Sequence, residues 1–218
     1  MLRMMKQWIF RDSEYLKNRF TTIYQENIFG GKESKSGEGS NLEQTEVIRK
    51  EIPALLKELG VNTFLDAPCG DFFWMSTVDL PPVEYIGVDI VKELIEGNNA
   101  THGKPGRKFL LADIVESPLP ASDLIHCRDC LVHLSFNQAK KVIANFKRSG
   151  ATYLLTTTFT ERTENRDLGR KDIWRPLNLQ LSPFNLPEPL RLINEHCTEA
   201  GGNFSDKCLG LWKLNDIS

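Results

Sequence analysis

No run of apolar residues in this chain is long enough to cross a membrane, which excludes a spanning helix. The opening stretch, "MLRMMKQWIFRDSEYLKN", has no long apolar core and no small-residue cleavage site; we read it as an amphipathic helix of the mature protein, not a leader. Excess charge of either sign is also missing. The 27 Lys+Arg against 29 Asp+Glu leave a net charge of -2, which argues against a strongly basic nucleic-acid binder. Cysteine is sparse: five residues, scattered, with one CxxC at Cys127 and Cys130 and no second one. That set does not make a secreted disulfide framework or a four-cysteine zinc site, and points to reduced, cytoplasmic thiols. Internal repeats and low-complexity segments are absent as well.

What is present is an ordinary globular composition, 40% hydrophobic and 26% charged over 218 residues. It suits one structural domain with a core of its own. Residues 45–59 place Val47, Ile48, Ile52, Leu55, Leu56 and Leu59 on one helical face, and Gly60 terminates it. Beyond Gly60 come short apolar runs ending in polar residues: "NTFLD", "EYIGVD", "KFLLAD", "SDLIHC" and "ATYLLTTTF". Helix-compatible segments such as 91–98 and 136–147 lie between most of them. This alternation predicts an α/β, Rossmann-like, mostly parallel sheet with helices on both faces. The closing "LRLINEHCTEAGGNFSDKCLGLWKL" reads as a hairpin, adding an antiparallel pair and bringing the sheet to seven strands. We expect residues 1–59 to form N-terminal helices and a loop packed on a core of residues 60–218. The Gly/Ser-rich "GGKESKSGEGS", residues 30–40, gives little reason for order by itself and is expected to act as a lid.

In open α/β sheets ligands bind beyond the carboxyl ends of the strands. Those positions hold Asp66, Asp89, Asp113 and the "CRDC" run from Cys127 to Cys130. One such aspartate would be read as a helix cap; three in succession favour a ligand with several donors. Asp89 follows the turn at Gly70 by about 20 residues, the spacing of an acid that binds ribose hydroxyls. The turn itself lacks the three glycines of a dinucleotide site. Pro68 has no N–H, Phe72 is bulky and Asp71 would repel phosphate. The site therefore suits a nucleoside without a pyrophosphate.

On these residues the chain resembles the class I S-adenosylmethionine-dependent methyltransferases over positions 60–160, and the final hairpin agrees. The resemblance implies S-adenosyl-L-methionine as cofactor. It would place Asp66, Ala67, Pro68, Cys69, Gly70, Asp71 and Trp74 around the methionine part, Asp89 and Ile90 at the ribose, and Asp113 and Ile114 at the adenine. Cys127 and Arg128 would complete the cofactor side. The acceptor would be a small polar molecule methylated on oxygen, with neither nucleic acid nor membrane as partner. The Asn-Pro-Pro-Tyr type of motif that similar enzymes use on nucleic-acid amino groups is missing. A cofactor-binding module without acceptor chemistry and a dinucleotide-dependent oxidoreductase stand as alternatives.

Acceptor chemistry is sought after the fourth strand. Asp129 and His133 are four residues apart, so a helical turn would share a face between them. His133 is then either a general base, with Asp129 orienting it or the substrate, or a packed side chain beneath the site. The segment "DIWRPLNLQLSPFNLPEP", residues 172–189, is too proline-rich for a helix. Trp174, Arg175 and Asn178 are its substrate-binding candidates, Arg175 for an anionic group. Phe184 reads as an anchor.

Overall fold

The computed structural model describes residues 2–169 and 172–218, with side chains described from Ser13 onward. The apolar residues Trp8, Ile9 and Phe10 of the expected first helix thus lie outside the described side chains. That helix, α1, runs Leu2–Gln25, and α2 runs Glu46–Glu58. Gly60 adopts φ 63°, the left-handed conformation that closes α2 as expected,. The five predicted strands follow as β1 (Thr63–Asp66), β2 (Glu84–Asp89), β3 (Arg107–Leu111), β4 (Leu124–Cys127) and β5 (Tyr153–Phe159). α3 (Lys92–His102) connects β2 to β3, and α4 (Phe136–Arg148) connects β4 to β5. Ser135 and Gln138 cap α4 reciprocally, side chain to backbone in both directions,. The closing hairpin is β6 (Arg191–Asn194) with β7 (Lys207–Lys213).

The seven strands lie in the order β3-β2-β1-β4-β5-β7-β6. β1 to β5 are parallel, and β7 is antiparallel to both β5 and β6. Alternate strand residues feed two cores. Leu65, Val88, Ile125 and Leu154 pack with Leu16 of α1 and with Ala139, Val142 and Phe146 of α4. On the opposite face Phe64, Tyr85, Leu124 and Leu155 pack with Ile48, Ile52, Leu55 and Leu56 of α2. Burial on both faces is why these strands read as unbroken apolar runs. Strand order reverses at β1 and β4, so the crevice for a ligand opens at their carboxyl ends. Among the described residues no helix is long and apolar enough to cross a membrane. No group of three or more His, Cys, Asp or Glu is placed to hold a metal ion there either.

Candidate active site

The turn after β1 satisfies itself. The N–H groups of Ala67 and Cys69 donate to the carbonyls of His126 and Val88, and that of Phe72 to the carbonyl of Cys69. Gly70 N–H donates to Asp89, Asp71 N–H to Ser36 Oγ and Phe73 N–H to Asp71. With Pro68 contributing none, no N–H from 67 to 73 is left to cradle a phosphate. Gly70 sits at φ 53°, and a Cβ there would fall 2.4 Å from Ser36 Oγ. Its lack of a side chain lets the 30–40 loop close against the turn.

Asp66 is buried and fully engaged: Tyr85 donates to one oxygen at 2.5 Å and His126 Nδ1 to the other at 2.7 Å. His126 Nε2 is buried with no partner among the described residues, on a ring that lines the crevice. Asp89 accepts from Val91 N–H at 2.9 Å and Gly70 N–H at 3.2 Å. Burial raises its pKa to about 6 despite those bonds, and each carboxylate oxygen still has a lone pair for a further donor. Asp113 lies two residues beyond the end of β3. It accepts from Val115 N–H at 2.8 Å and from Ser13 of α1 at 2.6 Å.

Beyond β4 the chain turns sharply. Asp129 adopts φ 50°, its N–H held by Thr157 Oγ1, and residues 131–133 form a single 3-10 turn. The regular helical turn expected to align Asp129 with His133 is therefore not formed. Instead the Ile173 carbonyl accepts from His133 Nδ1 at 2.6 Å. A carbonyl only accepts, so Nδ1 carries the hydrogen and the neutral ring keeps its lone pair on Nε2. Phe29 lies against this ring at 4.7 Å between centroids. Desolvation lowers the His133 pKa to about 4, against opposing contributions from the Ile173 bond and Asp129; the ring is neutral at pH 7.

Asp129 belongs to a buried ion cluster. Its Oδ2 meets Lys207 Nζ at 2.6 Å and Arg128 at 3.3 Å, while Glu195 takes a forked pair of bonds from Arg128. Burial favours the neutral acid, but the two cations prevail and hold Asp129 well below the usual carboxylate range,. Its Oδ1 is buried with no partner among the described residues.

Two cavities meet here. The first is lined by Pro68, Cys69, Gly70, Asp71, Trp74, Asp89, Ile90, Asp113, Ile114, Arg128 and Asp66, all expected on the cofactor side. The second is lined by Phe29, Phe159, Trp174, Phe204, Glu199 and Lys207 among others. Asp129 and His133 line both. Ala67 and Cys127 are fully buried beneath the first cavity and line neither.

Of the three substrate candidates only Trp174 faces a cavity. Arg175 is 0% exposed and donates to the carbonyls of Leu131, Leu134 and Arg166. Asn178 donates to Thr160 and Arg162 carbonyls. Both brace the 172–189 loop, because buried carbonyls without strand partners need donors. His126, Glu195, Lys207, Phe29 and Phe204 escaped the sequence reading. A histidine and a lysine inside otherwise apolar strands were the available signals for two of them.

The 30–40 loop is ordered by Asp71, which accepts from Ser34 Oγ at 2.9 Å, Lys35 N–H at 2.8 Å and Ser36 Oγ at 3.2 Å. A carboxylate latch thus supplies the order that Gly/Ser composition does not. With the loop in place the first cavity encloses only about 150 Å³, less than small-molecule sites usually offer. Through Lys35, Ser36 and Ser40 the loop lines this cavity. The Asp71→Asn variant should release it: trypsin cleavage at Lys32 or Lys35, followed by mass spectrometry, is expected to speed up several-fold. An unchanged rate would show that Asp71 does not hold the loop.

No protein-family model matches the chain, and no curated protein matches it. Solved structures do. The chain superposes on Burkholderia thailandensis 1,6-didemethyltoxoflavin-N1-methyltransferase, solved with bound 1,6-didemethyltoxoflavin and S-adenosylhomocysteine. The TM-score is 0.61 at 13% identity, covering 94% of this chain and 89% of that one. It also superposes on human N-acetylserotonin methyltransferase in complex with S-adenosylmethionine. There the TM-score is 0.54 at 12% identity, covering 78% of this chain but only 52%, about half, of the human one. The seven-stranded sheet with its reversed C-terminal pair, and the crevice at β1 and β4, give this chain the fold of the class I S-adenosylmethionine-dependent methyltransferases.

Proposed function

We propose that this chain is an S-adenosylmethionine-dependent methyltransferase acting on a small molecule, by O-methylation. The observation that carries the reading is the meeting of two cavities at Asp129 and His133, one rimmed by the strand-end acids and the other by aromatic side chains. The buried carboxylate of Asp89 at the end of β2, with a lone pair left on each oxygen, fits ribose hydroxyls,. The turn's exhausted N–H groups disfavour a dinucleotide, whose pyrophosphate would find no donors,. A partnerless Asp129 Oδ1 at the junction favours a working acceptor site over a bare binding module.

When bound, the cofactor supplies an electrophilic methyl group on a sulfonium sulfur. The chain's own residues do the rest. His133 Nε2 takes the acceptor's proton, and the Ile173 carbonyl fixes the ring so that this lone pair is the one presented,. The imidazolium that results is stabilised by the nearby negative charge of Asp129. Phe29 and the loop behind it exclude water, and alignment of the two cavities supplies orientation.

Thermal denaturation with S-adenosylhomocysteine tests the cofactor side. At 100 times its dissociation constant the ligand should add about 2.7 kcal/mol of stability, while NAD and NADP add nothing. A shift with NAD alone would overturn the assignment.

Asp89 makes this binding pH-dependent. Because its native pKa is raised to about 6, the folded protein binds a proton there more readily than the unfolded chain. Its burial therefore subtracts stability at neutral pH and is relieved as pH falls through 6. Ligand binding runs the other way, since hydroxyl donors prefer the ionised form. Calorimetry should show S-adenosylhomocysteine affinity falling about tenfold per pH unit below 6. Asp89→Ala should weaken binding at pH 7.5 at least tenfold, given roughly 1.5–3 kcal/mol for a bond to a charged group. Unchanged affinity in the variant would remove Asp89 from the site.

A further inference from the structure

The second cavity combines aromatic walls with a polar floor. Phe159, Trp174 and Phe204 pack edge to face, with centroids 4.9 to 6.0 Å apart, so the walls are assembled before any ligand arrives. Phe29 closes the side toward His133. The cavity encloses about 320 Å³, within the range of small-molecule sites.

The floor decides what charge such a ligand carries. Lys207 Nζ stands 2.6 Å from Asp129, 3.6 Å from Glu195 and 3.9 Å from Glu199. Arg128 is committed to Glu195 and to the carbonyl of Gly39. Three carboxylates against two cations leave the cluster one negative charge in excess. Neither cation is free to meet an anion, and Arg175 is turned away onto backbone carbonyls. At the junction with the first cavity, Asp129 Oδ1, which has no partner among the described residues, and the lone pair on the neutral His133 Nε2 are both acceptors,.

Building on the methyltransferase reading, we propose that the acceptor is a flat aromatic or heteroaromatic molecule without an anionic group, presenting an O–H to Asp129 and His133. Its ring fills the cavity lined by Trp174, Phe204 and Phe29, where offset and edge-on contacts favour π-systems. An anionic substituent would face an unbalanced carboxylate in a poorly screened site. In the reaction the hydroxyl proton passes to His133 Nε2 and the oxygen bonds to the methyl carbon. The sulfur–carbon bond breaks with its electron pair returning to sulfur.

Three matched probes test the chemistry by calorimetry, with and without S-adenosylhomocysteine: 2-naphthol, 6-hydroxy-2-naphthoate and 2-methoxynaphthalene. We expect 2-naphthol to bind at least tenfold more tightly than either the carboxylate or the methyl-capped probe. Glu199→Gln should narrow the gap between 2-naphthol and the carboxylate at least threefold, because it removes the excess charge. Trp174→Ala should weaken all three probes alike. Equal or tighter binding of the carboxylate, binding insensitive to Trp174→Ala, or no saturable binding of any probe would each overturn the proposal. The cofactor reading fails separately. If S-adenosylhomocysteine does not bind while the probe discrimination persists, the acceptor slot stands and the cofactor assignment falls.

Discussion

Replacing His133 with glutamine is expected to slow turnover by about 10²–10⁴-fold, the usual loss for a general base, or about 3–5 kcal/mol of barrier. S-Adenosylhomocysteine affinity should stay within about threefold, because the proposed cofactor contacts lie on the strand-end acids. The pH profile separates this role from a structural one. His133 is neutral in the folded protein down to about pH 4. With saturating cofactor, kcat/KM for the acceptor should thus be level from neutral pH to about 5 and fall below that. The limb should vanish in the variant. The stability consequence has the opposite appearance. A histidine whose folded pKa is depressed binds its proton first in the unfolded chain. Stability is then lost as pH falls from about 6.5, the free value, toward 4. His133→Gln should flatten that decline in chemical denaturation. A variant with wild-type turnover and an unchanged acid limb would assign His133 to packing, where the Ile173 bond and the Phe29 contact already place it.

Arg128→Met should have the largest effect on stability. The guanidinium side chain is 4% exposed and Glu195 is 1% exposed. Methionine keeps much of the stem's packing but leaves Asp129, Glu195 and Glu199 with Lys207 alone. Removing one partner from a buried ion pair costs roughly 3–5 kcal/mol, since the remaining charges are neither solvated nor compensated. For a chain of this size that lowers the melting temperature by roughly 6–20 °C. Adding Glu195→Leu should recover most of the loss, because an apolar pair often replaces a buried ionic one with little penalty. The double-mutant cycle reads the coupling directly. A small loss in Arg128→Met, or no recovery in the double variant, would mean that solvent or backbone compensates these charges. The cluster ties the segment after β4 to β7 and, through the Gly39 carbonyl, to the loop over the cavities. Loosening it should also expose Lys32 and Lys35 to protease.

By itself the sequence determined the sheet and the row of carboxylates at the mouth of its crevice. Each of these strands is a short apolar run closed by a polar residue, so "NTFLD", "EYIGVD" and, at the half-exposed sheet edge, "KFLLAD" announce their ends within a residue or two. Parallel connection then carries Asp66, Asp89 and Asp113 to one edge without any knowledge of packing. The Pro68, Asp71 and Phe72 side chains likewise spoke against a pyrophosphate from composition alone. What the tertiary structure decided are partnerships made across long separations. Lys207 reaches Asp129 over 78 positions, and His126 reaches Asp66 over 60. Arg175, which by residue type could hold an anion, instead donates to carbonyls about 40 positions away. A guanidinium serves a ligand or an orphaned backbone equally well, and only the packed chain shows which one is within reach. The same holds at Asp129, where a left-handed backbone and a 3-10 turn replaced the expected helical face. Local pattern encodes where a strand stops. The direction in which a polar side chain points, and whether its partner is a ligand or the protein, depends on which distant elements the fold has brought beside it.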